Sequence, residues 1–347
     1  MDISQFNPSG VGVDNGSYFG LPFTIDSARL VLVSAPWDVT VSYGAGTAYA
    51  PDAIIEASTQ LDLYDPSAPD AWRDGIATAE VDYSILELSE RLRPEAERVI
   101  SHLESGGALE DDYAQRRVRK VNEGSEQLNE KIYAQTSELL RQGKVVGIVG
   151  GDHSVPYGAI KALGEREESF GVLHIDAHAD LRVAYEGFEF SHASFIYNIL
   201  RDVSSIKKVV QVAQRDMCDD ELAFSASTDR VEMFDDRQIA KSIFEGDNWS
   251  QICDRIVSRL PERVYISLDI DGLEMGCCPN SGTPVPGGLS FNQVVYLLET
   301  LTQSSRQIIG FDIVEVAPNP AQRIDAIVGA RMLYKLASQT LLSNKNK

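Results

Sequence analysis

The chain has 347 residues, 43% hydrophobic and 24% charged, ordinary proportions for a globular protein that exclude a disordered chain or a disulfide scaffold. Its 52 acidic against 31 basic residues give a net charge of −21, which repels a phosphate backbone and speaks against nucleic acid as a partner. No apolar run reaches membrane-spanning length, and Met1 to Gly20 has neither a basic nor an apolar leader region, so a cytoplasmic location without a membrane partner is expected.

The run Arg29 to Val33 is apolar and β-branched and stops at Pro36 and Trp37, a strand entering a loop. Small residues fill Ser42 to Ala50, and Pro51 suits the first turn of a helix reaching about Ser58. Ile76 to Val81 is expected as a short strand. Helical spacing follows over Pro94 to Leu103 and Asp111 to Arg141, the second with one face buried and one in water. From Val145 the pattern repeats: KVVGIVG, FGVLHIDAH, KKVVQV, RVYISLDID and QIIGFDIVEV are buried-type strands separated by helical stretches. Such alternation predicts an α/β protein with a parallel sheet covered by helices on both faces. With no repeat, low-complexity tract or linker, one domain spanning residues 1–347 is expected. Cys218, Cys253, Cys277 and Cys278 are too few and too irregularly spaced for a framework or a zinc finger, so they are taken as reduced thiols.

The polar residues that carry chemistry fall where the strands end. Asp176, His178 and Asp180 occupy positions i, i+2 and i+4 of HIDAHAD, so a strand's period of two puts them on one side about 7 Å apart. Asp269 and Asp271 repeat the spacing in SLDID, and GIVGGDHS adds Asp152 and His153 after two glycines that permit a tight turn. Taken singly, an aspartate at a strand end is most often a helix cap. As a set, ionised carboxylates this close repel one another unless a cation lies between them. Oxygen and imidazole donors without thiolate favour Mn²⁺, with Ni²⁺, Co²⁺ or Zn²⁺ behind it. Six ligands, His153, Asp176, His178, Asp180, Asp269 and Asp271, exceed what one tetrahedral ion needs, so two divalent ions are expected. His174 shares the parity of Asp176 and is expected behind the ligands or in the core; His102 is expected on the surface.

The segments GGDHS (Gly150 to Ser154), DAHAD (Asp176 to Asp180) and SLDID (Ser267 to Asp271), in this order, resemble the ureohydrolase family of arginases and agmatinases. GAGTAYAPDAI, GTPVPGGLS (Gly282 to Ser290) and FDIVEVAP (Phe311 to Pro318) extend the likeness over roughly residues 30–340. The resemblance implies a three-layer α/β/α sandwich with a mostly parallel sheet, a binuclear manganese centre, and a homo-oligomer, trimer or hexamer. It assigns His153, Asp176, Asp180 and Asp269 to one ion and Asp176, His178, Asp269 and Asp271 to the other. Water readied there would attack a guanidinium carbon and release urea. Asp180 would steer the nucleophile's proton, Glu315 would pair with the guanidinium, and His192, in SHAS, would pass a proton to or from the leaving amine.

The chain departs from the family in three places. Glu274 and Met275 stand where the family has Asp-Pro, and Cys277 and Cys278 follow at the same rim. The stretch DLRVAYEGFEFSHAS lacks the Asn/Ser-rich segment with which arginases hold an amino-acid head group. Residues of roughly 84–142 read as a helical insertion or extended connection, suited to an oligomer interface. A small cationic guanidino substrate, agmatine first, and a place in polyamine metabolism follow. Guanidine, guanidinobutyrate, arginine and formiminoglutamate are the alternatives, with a one-zinc deacetylase of the same general fold as a different class.

Overall fold

Alternate residues of the first strand go to opposite faces, and both faces are dry. Leu30 and Leu32 of β1 (Leu30–Ala35) join one hydrophobic cluster, while Val31 and Val33 join another, the double burial that a continuous apolar strand encodes. The computed structural model describes residues 6–345 and contains seven further strands. These are β2 (Ile76–Thr78), β3 (Val145–Gly150), β4 (Phe170–Ile175), β5 (Ile206–Val212), β6 (Val231–Phe234), β7 (Arg263–Asp269) and β8 (Gln307–Val314). They form one sheet in the order β2-β1-β3-β8-β7-β4-β5-β6, with every pairing parallel.

Ten helices accompany the sheet among the described residues: α1 (Ala50–Ser58), α2 (Tyr83–Glu104), α3 (Asp112–Arg141), α4 (Tyr157–Arg166), α5 (Phe195–Asp202), α6 (Asp219–Ala226), α7 (Asp236–Phe244), α8 (Trp249–Ser258), α9 (Phe291–Gln303) and α10 (Ile324–Ser343). Buried residues of α1, α7, α8, α9 and α10 belong to one cluster, those of α2, α3, α4 and α5 to the other. The result is the expected α/β/α sandwich, with the sheet parallel throughout.

Two elements differ from expectation. α2 begins at Tyr83, not near Pro94, and carries Pro94 inside it. Its apolar spacing, Ile85, Leu88, Leu92, Ala96 and Val99, runs unbroken across the proline and buries one face, while Asp82 caps the start by accepting from the Ser84 amide at 3.0 Å. A proline often marks a first helical turn, but here packing overrides that preference. The edge strand β6 is short and half-buried, so its composition carries little strand signal.

What positions the site is the middle of the sheet. β3 and β4 are consecutive in the chain, yet β8 and β7 lie between them. Ligands of open parallel sheets gather beyond the carboxyl ends of strands where the winding changes direction. The four central strands, β3, β8, β7 and β4, end there with His153, Glu315, Asp269 and Asp176 close behind.

Candidate metal centre

Each strand end delivers its polar residues by a different local device. After β3 the backbone turns at Gly151, where an added Cβ would lie 1.7 Å from the Trp37 carbonyl oxygen; only glycine fits so close an approach. Asp152 then accepts from the Ser154 amide at 3.0 Å and the Thr40 hydroxyl at 3.2 Å, which occupies it structurally and leaves His153 to face the centre. After β4, Asp176 accepts from the His178 amide at 2.6 Å, and Asp180 takes a left-handed φ of 53°. After β7, Asp269 accepts from the Asp271 amide at 2.8 Å, and Asp271 from the Ala177 amide at 3.1 Å. After β8, Glu315 is also left-handed, at φ 60°, and its Oε1 accepts from the His153 amide at 2.9 Å. Non-glycine residues at positive φ carry strain that surrounding structure must hold in place.

All six expected ligands meet in one cluster, buried except for His178, whose side chain is partly exposed. His153 Nδ1 lies 2.9 Å from Asp176 Oδ2, 3.2 Å from Asp180 Oδ2 and 3.4 Å from Asp269 Oδ2. His178 Nδ1 lies 3.4 Å from Asp176 Oδ1 and 3.2 Å from Asp271 Oδ2. Two sets of donor atoms gather within 4.8 Å of one another: His153, His174, Asp176 and Asp180, and then Asp176, His178 and Asp271. Asp176 belongs to both. Ligand atoms about 2.1 Å from one ion stand about 3.0 Å apart when they meet it at right angles, which matches these separations.

The hydrogen-bond network fixes what faces the centre. The Ser267 hydroxyl donates to Asp312 Oδ1 at 3.0 Å and therefore accepts at 2.9 Å from His153 Nε2. That places the imidazole proton on Nε2 and aims the Nδ1 lone pair at three carboxylate oxygens, an arrangement stable only with a cation among them. His153 Nδ1, Asp180 Oδ2 and Asp271 Oδ2 are buried with no hydrogen-bond partner, as atoms reserved for a metal are. The residues present therefore fit divalent ions.

Burial is the largest influence on every shifted member. It pushes Asp269 well above the ordinary carboxylate range, reinforced by Asp271 and Asp176, and does the same to Asp180, reinforced by Asp176. Asp176 goes the other way: burial would raise it, but His174, His153 and His178 together hold it well below. Burial would lower His153 and His178, yet Asp176, Asp269 and Asp180 around the first, and Asp271 and Asp176 around the second, keep both well above the usual histidine value. With protons as the only cations, the cluster holds them tightly.

Three partners that the sequence did not single out support the ligands. Gln211 of β5 donates to both the Ala179 carbonyl at 2.7 Å and His174 Nδ1 at 3.0 Å. His174 then carries its proton on Nε2, 2.9 Å from Asp176 Oδ2, and burial lowers its pKa against the pull of Asp176. His174 thus stands behind Asp176, as expected, though its ring also reaches the first donor set. Ser267 and Asp312 are the other two; burial raises the Asp312 carboxyl to about 6. Each is a fully buried polar residue with an apolar neighbour on either side in its strand, the one signal that could have found them.

His192 lies beside the ligands. Its Nδ1 is 3.6 Å from Glu315 Oε1, and its amide donates to Thr40 Oγ1 at 3.1 Å. A cavity of about 160 Å³ reaches this point, lined by His178, Asp180, Arg182, His192, Asp216 and Thr283 among others. His102 is elsewhere, 2.9 Å from Asp111 on the helical side, and the four cysteines are free thiols that belong to neither donor set. Glu274 and Met275 are exposed at the turn after β7.

Comparison with known proteins agrees with this geometry. The model of the arginase family matches residues 28–338. N(1)-aminopropylagmatine ureohydrolase of Thermus thermophilus is 33% identical over 311 residues, 89% of each chain. Agmatinase of Pyrococcus horikoshii is 28% identical over 314 residues, 89% of this chain and 91% of the relative. Among solved structures, the proclavaminate amidino hydrolase of Streptomyces clavuligerus superposes with a TM-score of 0.73 at 21% identity, covering 97% of this chain and 100% of that one. No described helix is long and apolar enough to cross a membrane.

Proposed function

This chain belongs to the arginase family, and from that premise we propose that it is a ureohydrolase whose substrate is agmatine, acting with two Mn²⁺ ions. Hydrolysis of a guanidino C–N bond with release of urea is the chemistry its relatives share by name. The observation that carries the proposal is the His153 lone pair, fixed by Ser267 and aimed at Asp176, Asp180 and Asp269. His153, Asp176, Asp180 and Asp269 would hold one ion, and Asp176, His178, Asp269 and Asp271 the other. When bound, such ions supply Lewis-acid activation of water. Oxygen and imidazole donors without thiolate suit Mn²⁺, with Ni²⁺ next.

The chain's own groups do the rest. Glu315, held at positive φ beside the cluster, would pair with the guanidinium and fix its carbon beside the ligand residues. Asp180, on the cavity wall, accepts and orients the nucleophile's proton. His192 moves a proton to the leaving amine as the C–N bond breaks, a task suited to an imidazole. With Arg182 paired to Glu221 at 3.8 Å and Asp180 committed to the ligand set, Asp216 is the acid left on the cavity wall, which favours a positively charged tail over a carboxylate. N(1)-aminopropylagmatine is the second reading, favoured by the name of the relative at 33% identity. Assembly into trimers or hexamers belongs to the same proposal, supported by Ile324 and Ile327 exposed on α10.

The test is product identification with the metal-loaded chain over agmatine, N(1)-aminopropylagmatine, guanidinobutyrate, arginine, guanidine and formiminoglutamate. Urea from agmatine, with the greatest kcat/KM of the panel, is expected. Formamide from formiminoglutamate as the main product would overturn the guanidino assignment.

A further inference from the structure

Asp271 is held by its side chain and by its backbone. Oδ1 accepts from the Ala177 amide at 3.1 Å, while Oδ2, 3.2 Å from His178 Nδ1, is buried with no hydrogen-bond partner. One oxygen is committed and the other is left for an ion. Both holds lead to a single residue. The Arg215 amide donates to the Ala177 carbonyl at 2.7 Å, and Arg215 Nη2 donates to the Asp271 carbonyl at 2.6 Å. Arg215 follows β5, where the chain bends through Ala213 at a left-handed φ of 81°, and its Nη1 closes that bend by donating to the Ala213 carbonyl at 3.0 Å.

The rest of the guanidinium reaches forward. Nη2 also donates to the Leu273 carbonyl at 3.2 Å and, together with Nε, to the Val285 carbonyl at 3.0 and 3.3 Å. One cation thus ties four carbonyls from three segments: the end of β5, the turn after β7 and the loop Gly282 to Ser290. A planar fork of N–H donors can span them, whereas an ammonium on a flexible stem cannot. The loop is shaped around this group. Gly288 has a φ of 94°, and an added Cβ there would lie 2.5 Å from the Leu273 carbonyl oxygen and 2.9 Å from Arg215 Nη2. The other end of the loop covers the site: the Gly44 amide donates to the Gly282 carbonyl at 3.1 Å, a Cβ on Gly282 would come 3.5 Å from Glu315 Oε2, and Thr283 lines the cavity.

We propose that Arg215 is a positioning residue that locks Asp271 to the loop over the cavity, so that the hold on metal by Asp271 and the shape of the substrate mouth are set together. It acts through backbone carbonyls and needs no contact with substrate. This rests on the assignment of Asp271 to a metal proposed above.

The experiment compares R215K with R230K in Mn²⁺ titrations of the metal-free full chain, followed by calorimetry. Arg230 is the control because it too donates to two carbonyls, those of Leu200 at 2.9 Å and of Ile206 at 2.8 Å, but at the start of β5, away from the centre. R215K binds the second ion about tenfold more weakly, as loss of an outer support does, with the first unchanged, and its amides over 282–290 exchange hydrogen faster than in the wild type. R230K, whatever it does to the melting temperature, keeps both ions and the slow loop. Equal weakening of both ions in R215K, the same loss of the second ion in R230K, or unchanged exchange over 282–290 in R215K overturns the proposal. If R215K does not fold, the wild-type chain decides: exchange over 282–290 slows with Mn²⁺ at the same midpoint as exchange over 269–274, and a loop indifferent to metal overturns the lock. If the wild-type chain binds no Mn²⁺, the metal reading fails on its own. The lock is then read from the metal-free chains, where R215K speeds exchange over both segments if Arg215 joins them and over one or neither if it does not.

Discussion

Leu268 and Asp269 are neighbours in the chain and opposites in their physics. Leu268, like Ile266 before it, is completely buried among apolar side chains of β7 in an unstrained strand. One residue on, Asp269 is a buried carboxylate crowded by Asp271 and Asp176 and pushed well above its ordinary pKa. The same change occurs at the ends of β3, β4 and β8, where left-handed backbone and unpartnered polar atoms also collect. The body of the sheet supplies cohesion, and the rim is held against its own electrostatics by that body. A cation held at the rim would reverse the sign of its electrostatic energy.

Substitutions in the two regions separate cleanly if this comparison is right. Asp176→Ala removes the one residue in both donor sets. Urea release is expected to fall by about a thousandfold or more, with metal content below two ions per chain by elemental analysis; retention of both ions would break the contrast. The rim's protons give the next effect. His153 and His178 are raised well above the usual value and must be neutral to bind metal, so affinity rises with pH, about tenfold per pH unit for each proton released. In the metal-free chain these raised histidines contribute stability that is full below about pH 6.5 and is lost as pH rises through their folded values. Metal should therefore raise the melting temperature more at pH 8 than at pH 6, and the opposite order would contradict the account.

Within the body, Leu268→Ala leaves a cavity and is expected to cost about 2–5 kcal/mol in denaturant unfolding without changing metal stoichiometry. Gln211→Ala lies between the regions: its loss releases His174 from behind Asp176. Metal affinity is expected to weaken about 10–100-fold, read by calorimetry, while metal-free stability changes far less than for Leu268→Ala.

Which parts were legible in the sequence follows from the same division. Asp176, His178 and Asp180 could be found because a strand's period of two and the chemistry of ligands are both local. So could the parallel sheet, from apolar runs alternating with helices. Ser267 and Asp312 acquire meaning only because β7 and β8 are neighbours in register, with Ser267 opposite Asp312; no single segment states that. Gln211 likewise needs β5 beside β4. The hydrogen bond from Asn122 to the Gly187 carbonyl joins residues 65 positions apart, and the left-handed backbone of Asp180, Glu186 and Glu315 opposes local preference. α2 misled for the inverse reason, since Pro94 is a strong local signal that helix packing overrules.

The central claim, that the carboxylate rim exists to hold paired divalent ions for guanidino hydrolysis, is tested most directly by titrating Mn²⁺ into the metal-free chain and following urea release from agmatine. The account predicts a rate that is absent without metal and saturates at two ions per chain. Full urea release in the presence of a strong chelator, or saturation at a single ion, would contradict it.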